Sequence, residues 1–261
     1  MQAMNAQQHT PAALDRRTIQ YLSTPMPVSM GDFWFDIATS NHFWIRRRFD
    51  VMRKLADSVI RNARRCGEIG CGNGLLQKDL EDRYGISVAG FELNEVALQK
   101  NISRASPLYC YNVLDCRAEF QSRFDLLFLF DVLEHIENES AFLRSVKFHL
   151  AEHGILLINV PALEFFRSDY DRSAGHIRRY SANQLSKVCA SNGFKATAIS
   201  YWGLPLIPLL LLRKGLNHSG KEGMDARGLI VNSALSFVAK WEPIPQRLLG
   251  TSVMAVLENQ S

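Results

Sequence analysis

The sequence predicts a doubly wound α/β fold, a mostly parallel sheet with helices on both faces, and three observations carry that prediction. Gly70, Gly72 and Gly74 stand at alternate positions between an apolar lead-in and an amphipathic run, the pattern of a strand–glycine loop–helix unit. Residues 124–130, FDLLFLF, form an apolar run of the kind expected for a central parallel strand covered on both faces. Strand-like and helix-like segments alternate between residues 66 and 160. Of the 261 residues, 47% are apolar, ample for the core of one large α/β domain with additions. The expected organisation is an N-terminal helical cap over residues 1–65, a ligand-binding core over 66–160, and a substrate-side loop, lid helices and closing strands of the same domain over 161–261.

In the cap, residues 32–36 (DFWFD) precede 42–49 (HFWIRRRF), and Phe43, Trp44, Phe49, Met52 and Leu55 share a broad helical face. Packing alone accounts for such aromatics. The core opens with Glu68-Ile69-Gly70-Cys71-Gly72-Asn73-Gly74. Glycines at this spacing let the backbone turn tightly and approach a ligand, and the helix beginning at Leu75 points its free N–H groups back at the loop. A dinucleotide site requires G-x-G-x-x-G, but Leu75, Leu76 and Gln77 follow here, so the third glycine is absent. The acid Glu68 would repel a pyrophosphate and suits a cationic or zwitterionic ligand, such as the sulfonium and α-amino groups of S-adenosylmethionine. Cys71 reads as a small spacer in the loop.

Residues 87–92 form a second strand ending in Glu92, which lies 18 residues beyond Gly74, where an acid grips ribose hydroxyls. The alternative is a surface Glu before a helix capped by Asn94. Residues 108–113 read as a third strand followed by Asp115, otherwise a turn-forming residue. The run ending at Phe130 leads into Asp131-Val132-Leu133-Glu134-His135-Ile136, a helix over 141–150, and a strand over 154–161. The polar loop 168–181 carries three arginines and His176, and Ser181 fits the N-cap of a helix over 182–191 that Gly193 ends. Residues 201–214 are conspicuously apolar but contain two prolines and fall short of the ~20 residues a bilayer span needs. They suit a lid, a wall for a greasy acceptor, or an interfacial segment with Arg213 and Lys214 at headgroups. A loop over 215–228, a helix over 229–241 and a strand over 250–257 complete the chain.

The pattern E-x-G-x-G-x-G, the acid-ended second strand and the D-V-L-E-H-I string resemble the ordered motifs of class I S-adenosylmethionine-dependent methyltransferases over residues 66–160. The HFWIRRRF segment and D-x-x-x-G-H-x-R-R-Y-S at 171–181 are similar to motifs of a bacterial small-molecule branch of that family. The resemblance implies a seven-stranded Rossmann-like sheet closed by an antiparallel last strand. It implies S-adenosylmethionine as cofactor and S-adenosylhomocysteine as product, held by Glu68, Gly70, Cys71, Gly72, Gly74, Glu92, Leu93, Asp115, Phe130 and Asp131, with Asp115 at the adenine amino group. It places His42, Trp44, Arg48, Arg178, Arg179 and Tyr180 at the acceptor. The implied reaction is methylation, most simply on oxygen, of a hydroxylated metabolite, a sugar or a lipid-linked precursor.

Methyl transfer to a hydroxyl needs alignment and proton removal. If residues 131–135 form a helical turn, Asp131 shares a face with Glu134 and His135. In one reading His176 or His135 is the general base and carboxylates such as Glu134 orient it. In the other, Asp131, Glu134, His135 and His176 hold a divalent metal that acidifies the acceptor hydroxyl. That arrangement also resembles the metal site of small-RNA 2′-O-methyltransferases and of quinone-pathway O-methyltransferases. Outside the family, the rival readings are an NAD-type Rossmann oxidoreductase and a cofactor-binding scaffold without catalysis.

The net charge of +4 conceals a pattern: residues 1–65 carry +5, residues 66–160 carry −6 and residues 161–261 carry +5. Basic flanks around an acidic core suggest an anionic acceptor or surface, or else a solvated charge distribution. They also permit nucleic acid, but the leucine-rich wall suits a greasy acceptor better, and peripheral membrane contact fits the same wall. Five cysteines without a C-x-x-C pair, and first residues without the apolar centre of a signal peptide, lead us to expect free thiols and a cytoplasmic location.

Overall fold

The computed structural model describes residues 18–27, 39–208, 237 and 239–260. Eight strands form one sheet: β1 (Ile19–Tyr21), β2 (Cys66–Ile69), β3 (Val88–Glu92), β4 (Leu108–Cys110), β5 (Phe124–Phe130), β6 (Leu150–Pro161), β7 (Phe194–Trp202) and β8 (Ser252–Asn259). Their spatial order is β1-β4-β3-β2-β5-β6-β8-β7. Pairing is parallel from β1 to β6, and β8 runs antiparallel to both β6 and β7. The six strands placed from the sequence are present, with the closing antiparallel strand between β6 and β7; β7 completes the implied seven, and it takes in Tyr201 and Trp202, which were expected to begin the apolar lid or wall. The eighth, β1, adds a parallel edge that the expected helical cap did not include.

The helices are α1 (Phe43–Asn62), α2 (Leu75–Tyr84), α3 (Glu95–Gln99), α4 (Glu139–His149), α5 (Asp169–Ser173) and α6 (Ala182–Ser191). The apolar run of β5 divides by alternation between two cores. Leu127 and Leu129 pack with Phe142, Leu143 and Val146 of α4 and Leu185 of α6. Leu126, Phe128 and Phe130 pack with Ile45, Phe49, Met52, Ala56 and Ile60 of α1. A strand covered on both faces has no polar side, which is why its sequence shows no period of two. The α1 residues recur at helical spacing and form one buried stripe. Helix starts follow side-chain capping: Asn138 accepts from the Ala141 N–H at 3.0 Å, and Ser181 with Gln184 completes a capping box at α6.

Three local expectations change. The third strand stops at Cys110, and Val113–Asp115 form a short 3-10 turn instead of continuing it. Residues 131–135 are not one helical turn: Asp131 takes a left-handed φ of 56°, and only Leu133–His135 form a 3-10 turn. The fifth strand and its helix begin earlier than expected, at Leu150 and Glu139. The expectations for residues 32–36, 209–228 and most of 229–241 lie outside the described residues.

In this order β2 has β3 on one side and β5 on the other, so the order in which the parallel strands are laid down reverses between β2 and β5. Ligands of open parallel sheets lie at the carboxyl ends of the strands at such a point. Ile69, Glu92 and Phe130 are the terminal residues of β2, β3 and β5 there.

Candidate active site

The glycine loop turns back onto β3. The N–H groups of Gly70 and Cys71 both donate to the Phe91 carbonyl, at 2.8 and 3.1 Å. Gly70 has φ +74°, and a Cβ there would stand 2.5 Å from Val132 Cγ2, so the close approach of loop and D-V-L-E-H-I segment needs glycine. Glu68 is buried, and its Oε2 has no hydrogen-bond partner. Burial raises its carboxyl well above the usual range; the nearby Arg48 opposes this and Glu92 adds to it. The Cys71 thiol is raised by burial and then by Glu68 and Glu92, which makes it a poor nucleophile and a fitting spacer.

Glu92 closes the loop from the other side. It accepts from the N–H groups of Gly72 at 3.0 Å, Leu93 at 2.8 Å and Asn94 at 2.9 Å. Burial raises its carboxyl against the pull of these amides. Asn94 does cap α3, accepting from the Ala97 N–H at 3.1 Å, but Glu92 is buried rather than the surface residue of that alternative. Asp115 is exposed at the end of its 3-10 turn and accepts from the Ser23 hydroxyl at 2.7 Å.

At the end of β5 the left-handed Asp131 donates its N–H to the Asn159 carbonyl at 2.9 Å and accepts from Asn159 Nδ2 at 2.6 Å. Its other oxygen pairs with Arg48. The Arg48 guanidinium lies 5.5 Å from the ring centroids of both Phe49 and Phe130. Asn159 Oδ1 accepts from Trp202 Nε1 at 2.8 Å, and Trp44 packs on Trp202 with centroids 4.4 Å apart. Asn159 and Trp202 were not among the expected site residues, although Asn159 interrupts the apolar run of β6 as a lone amide.

The second cluster joins the 3-10 turn at Leu133–His135 to the loop after α5. Glu134 is completely buried, and neither carboxylate oxygen has a hydrogen-bond partner. Its carboxyl is raised well above the usual range, by burial first and then by Asp131. His176 Nε2 stands 3.9 Å from Glu134 Oε1. His176 Nδ1 is 2.8 Å from Asp171 Oδ1, and the same carboxylate is clamped by Arg179 through Nε at 2.8 Å and Nη2 at 3.0 Å. Burial would raise Asp171, but the bonds from His176 and Arg179 outweigh it and hold the carboxyl below its ordinary range. Asp171 is the first residue of the D-x-x-x-G-H motif and was not among the expected site residues.

His135 Nδ1 lies 3.2 Å from the Gly175 carbonyl, and its ring meets that of His176 edge to face, centroids 4.9 Å apart. Burial, and then His176, lower its pKa. A carbonyl and a carboxylate only accept, so Nδ1 is the donor nitrogen of each ring. One ligand atom from each of Glu134, His135 and His176 lies within 4.8 Å of the others. Asp131, the fourth member of the expected metal set, stands outside this group and engages Arg48 and Asn159.

The other acceptor-side residues have partners within the fold. Arg178 pairs with Glu139 Oε2 at 2.5 Å and donates to the Glu137 carbonyl at 3.1 Å. Tyr180 is buried and donates to Glu139 Oε1 at 2.5 Å. His42 is buried at the N-cap of α1, where Nδ1 accepts from the Trp44 N–H at 3.3 Å. Arg178 and Tyr180 are thus tied to Glu139 and Arg179 to Asp171, so each arginine faces a carboxylate of the chain. Among the described residues no helix is long and apolar enough to cross a membrane, and all five cysteines are free thiols.

A family model described as "Methyltransferase domain" matches residues 41–199, more than half of the chain. No curated protein matches. Among solved structures, a possible histamine N-methyltransferase from Thermotoga maritima is similar at TM-score 0.57 and 14% identity, over 88% of this chain and 94% of that one. The [4+2]-cyclase SpnF is similar at TM-score 0.58 and 14% identity, over 91% and 98%. The phosphoethanolamine N-methyltransferase 2 of Haemonchus contortus, in complex with S-adenosyl-L-methionine, is similar at TM-score 0.56 and 17% identity, over 88% of this chain and 58% of that one. At such identities these structures show the fold, and a cyclase among them illustrates how one scaffold carries different chemistries.

Proposed function

From the premise that the chain belongs to the methyltransferase-domain family and is an S-adenosylmethionine-dependent methyltransferase, we infer that it methylates a hydroxyl group, with His176 as general base. The acceptor class we propose is a hydroxylated metabolite, a sugar or a lipid-linked precursor. The observation that carries this reading is the Asp171–His176 pair: the 2.8 Å contact at Nδ1 orients the ring so that Nε2 lies on the side of Glu134, 3.9 Å from its Oε1, and is the basic nitrogen of the neutral imidazole.

The residues at the carboxyl edge fit the methyl donor. Glu68 offers a buried, unpartnered carboxylate oxygen beside the glycine loop, the complement of an ammonium or sulfonium. Glu92 keeps lone pairs for ribose hydroxyls, because each carboxylate oxygen accepts more than one bond. When bound, S-adenosylmethionine supplies a methyl group made electrophilic by its sulfonium. The chain's part is to hold the acceptor in line, exclude water and take the hydroxyl proton on His176 Nε2 as the oxygen attacks. Asp171, held by Arg179, keeps the imidazole in the basic tautomer and stabilises the imidazolium that forms. A hydroxyl must lose its proton as it attacks, so a positioned base favours oxygen as the acceptor atom. The test is mass-spectrometric detection of transferred methyl on a panel of hydroxylated, amine and thiol acceptors. Transfer to amines alone would overturn the oxygen assignment.

A second reading rests on the buried Glu134 with no hydrogen-bond partner. Glu134, His135 and His176 would hold a divalent cation, with Gly175 and Asp171 orienting the two imidazoles, and the ion would acidify the acceptor hydroxyl. Two imidazoles and a carboxylate suit such an ion. Exhaustive chelation separates the readings: loss of activity with a lower melting temperature, both restored by added Mn²⁺ or Zn²⁺, supports the metal, and full retention of activity rules it out.

A further inference from the structure

The stretch following β1 crosses the loops that carry the two acids assigned to adenosine. Leu22 and Ser23 both donate backbone N–H groups to the Cys110 carbonyl, at 2.9 and 3.0 Å, where β4 ends. The Ser23 hydroxyl accepts from the Asn112 N–H at 2.9 Å and donates to Asp115 Oδ2 at 2.7 Å. Three residues on, the Met26 N–H donates to the Leu93 carbonyl at 3.0 Å. Upstream, the Tyr21 hydroxyl donates to Glu95 Oε1 at 2.7 Å. Residues 21–26 are thus pinned first at the end of β4 and then at the end of β3, beside Asp115 and Glu92. Ordering an extended segment costs conformational entropy at every residue, and directed bonds at each end offset that cost.

We propose that residues 21–26 form the outer strap of the adenosine pocket and that Ser23 is a positioning residue, turning Asp115 to accept the adenine amino group. The proposal rests on the methyl-donor reading above. Asp115 is exposed, so its side chain has free rotation unless something holds it. Ser23 is itself fixed by the Asn112 N–H and occupies Oδ2, which leaves Oδ1 as the oxygen presented to a ligand amino group. A purine with a carbonyl at the same position would meet that carboxylate as an unfavourable pair of acceptors. The strap therefore supplies selectivity for a 6-aminopurine, from a part of the chain that precedes every glycine-loop motif.

The test is calorimetric titration of the full chain with S-adenosylhomocysteine and with its 6-oxo analogue, S-inosylhomocysteine. Wild type, Ser23→Ala and Ser23→Thr are compared, together with ligand-free melting temperatures. Ser23→Ala is expected to lose about tenfold in affinity for the adenosyl ligand, the scale of one hydrogen bond to a charged group. Its affinity for the inosyl ligand should stay the same, and Ser23→Thr, which keeps the hydroxyl, should restore discrimination. Unchanged adenosyl affinity in Ser23→Ala overturns the proposal, as does an equal loss for both ligands. If the wild-type chain binds neither ligand, the donor reading itself fails and the strap with it.

Discussion

At the scale of single residues, the site depends on a few buried groups whose roles can be separated. His176→Ala should lower kcat by about 10²–10⁴, the usual contribution of a general base, with little change in cofactor affinity. Asp171→Asn should lower kcat too, because an amide can donate to Nδ1 and favour the wrong tautomer; it also breaks the Arg179 clamp, so part of the loss should appear as lower stability. Glu134 behaves differently. Its carboxyl is raised by burial, so its stabilising contribution is present below the ordinary carboxylate range and lost as pH rises through the raised value. Glu134→Gln should therefore resist urea better than wild type at about pH 8, by on the order of 1 kcal/mol, while losing activity. Lower stability at that pH would show that Glu134 is compensated by a partner in solution. The acids and the histidines were legible in the sequence because charged residues interrupt apolar strand ends there. Asp171, Asn159 and Ser23 were not, because each acts through another residue, and only the fold brings His176 within 2.8 Å of Asp171.

At the scale of elements, α1 is tied to the end of the sheet by a buried ion pair. Arg47 meets Glu242 Oε2 at 3.0 Å, and Glu242 also accepts from the N–H groups of Gly203 at 3.0 Å and Leu204 at 2.8 Å. Removing one partner of a buried pair leaves the other charge unpaired, so Glu242→Ala should cost about 3–5 kcal/mol in urea unfolding. Replacing both residues together with apolar ones should cost much less, and equal costs would show that the pair is not what joins these elements. Helix positions were readable because their stripes and caps are local, as at Ser181 and α6. The turn at 131–135 misled for a physical reason: Asp131 is held left-handed by Asn159 and Arg48, contacts distant in sequence that override a helical spacing. β1 was hidden because a three-residue edge strand carries no period, and its pairing with β4 exists only once β4 is in place.

At the scale of the whole molecule, titration of buried groups sets a window of stability. His135 and His149 have lowered pKa values, each by burial first, and His149 is held between the Tyr111 hydroxyl at 3.0 Å and the Ser145 carbonyl at 2.7 Å. The unfolded chain takes up these protons from about pH 6.5 downward while the folded chain resists them. The stability these rings contribute is intact above that pH and declines as pH falls through their lowered values. Urea midpoints should accordingly drop between about pH 6.5 and 5, before carboxylates titrate, and a flat profile there would show that both rings gain protons without loss. The doubly wound core was legible because its strands are buried on both faces and its glycine loop sits at the switch between β2 and β5. The acceptor was not, because the arginines expected to read it are bound to the chain's own carboxylates. The most direct measurement is a crystal structure of the chain with S-adenosylhomocysteine. The expected result is the ligand across the carboxyl ends of β2, β3 and β5, ribose hydroxyls within about 3 Å of Glu92, the amino acid part at Glu68, and the sulfur toward Asp131. A ligand bound elsewhere, or a ribose held without Glu92, would contradict the account.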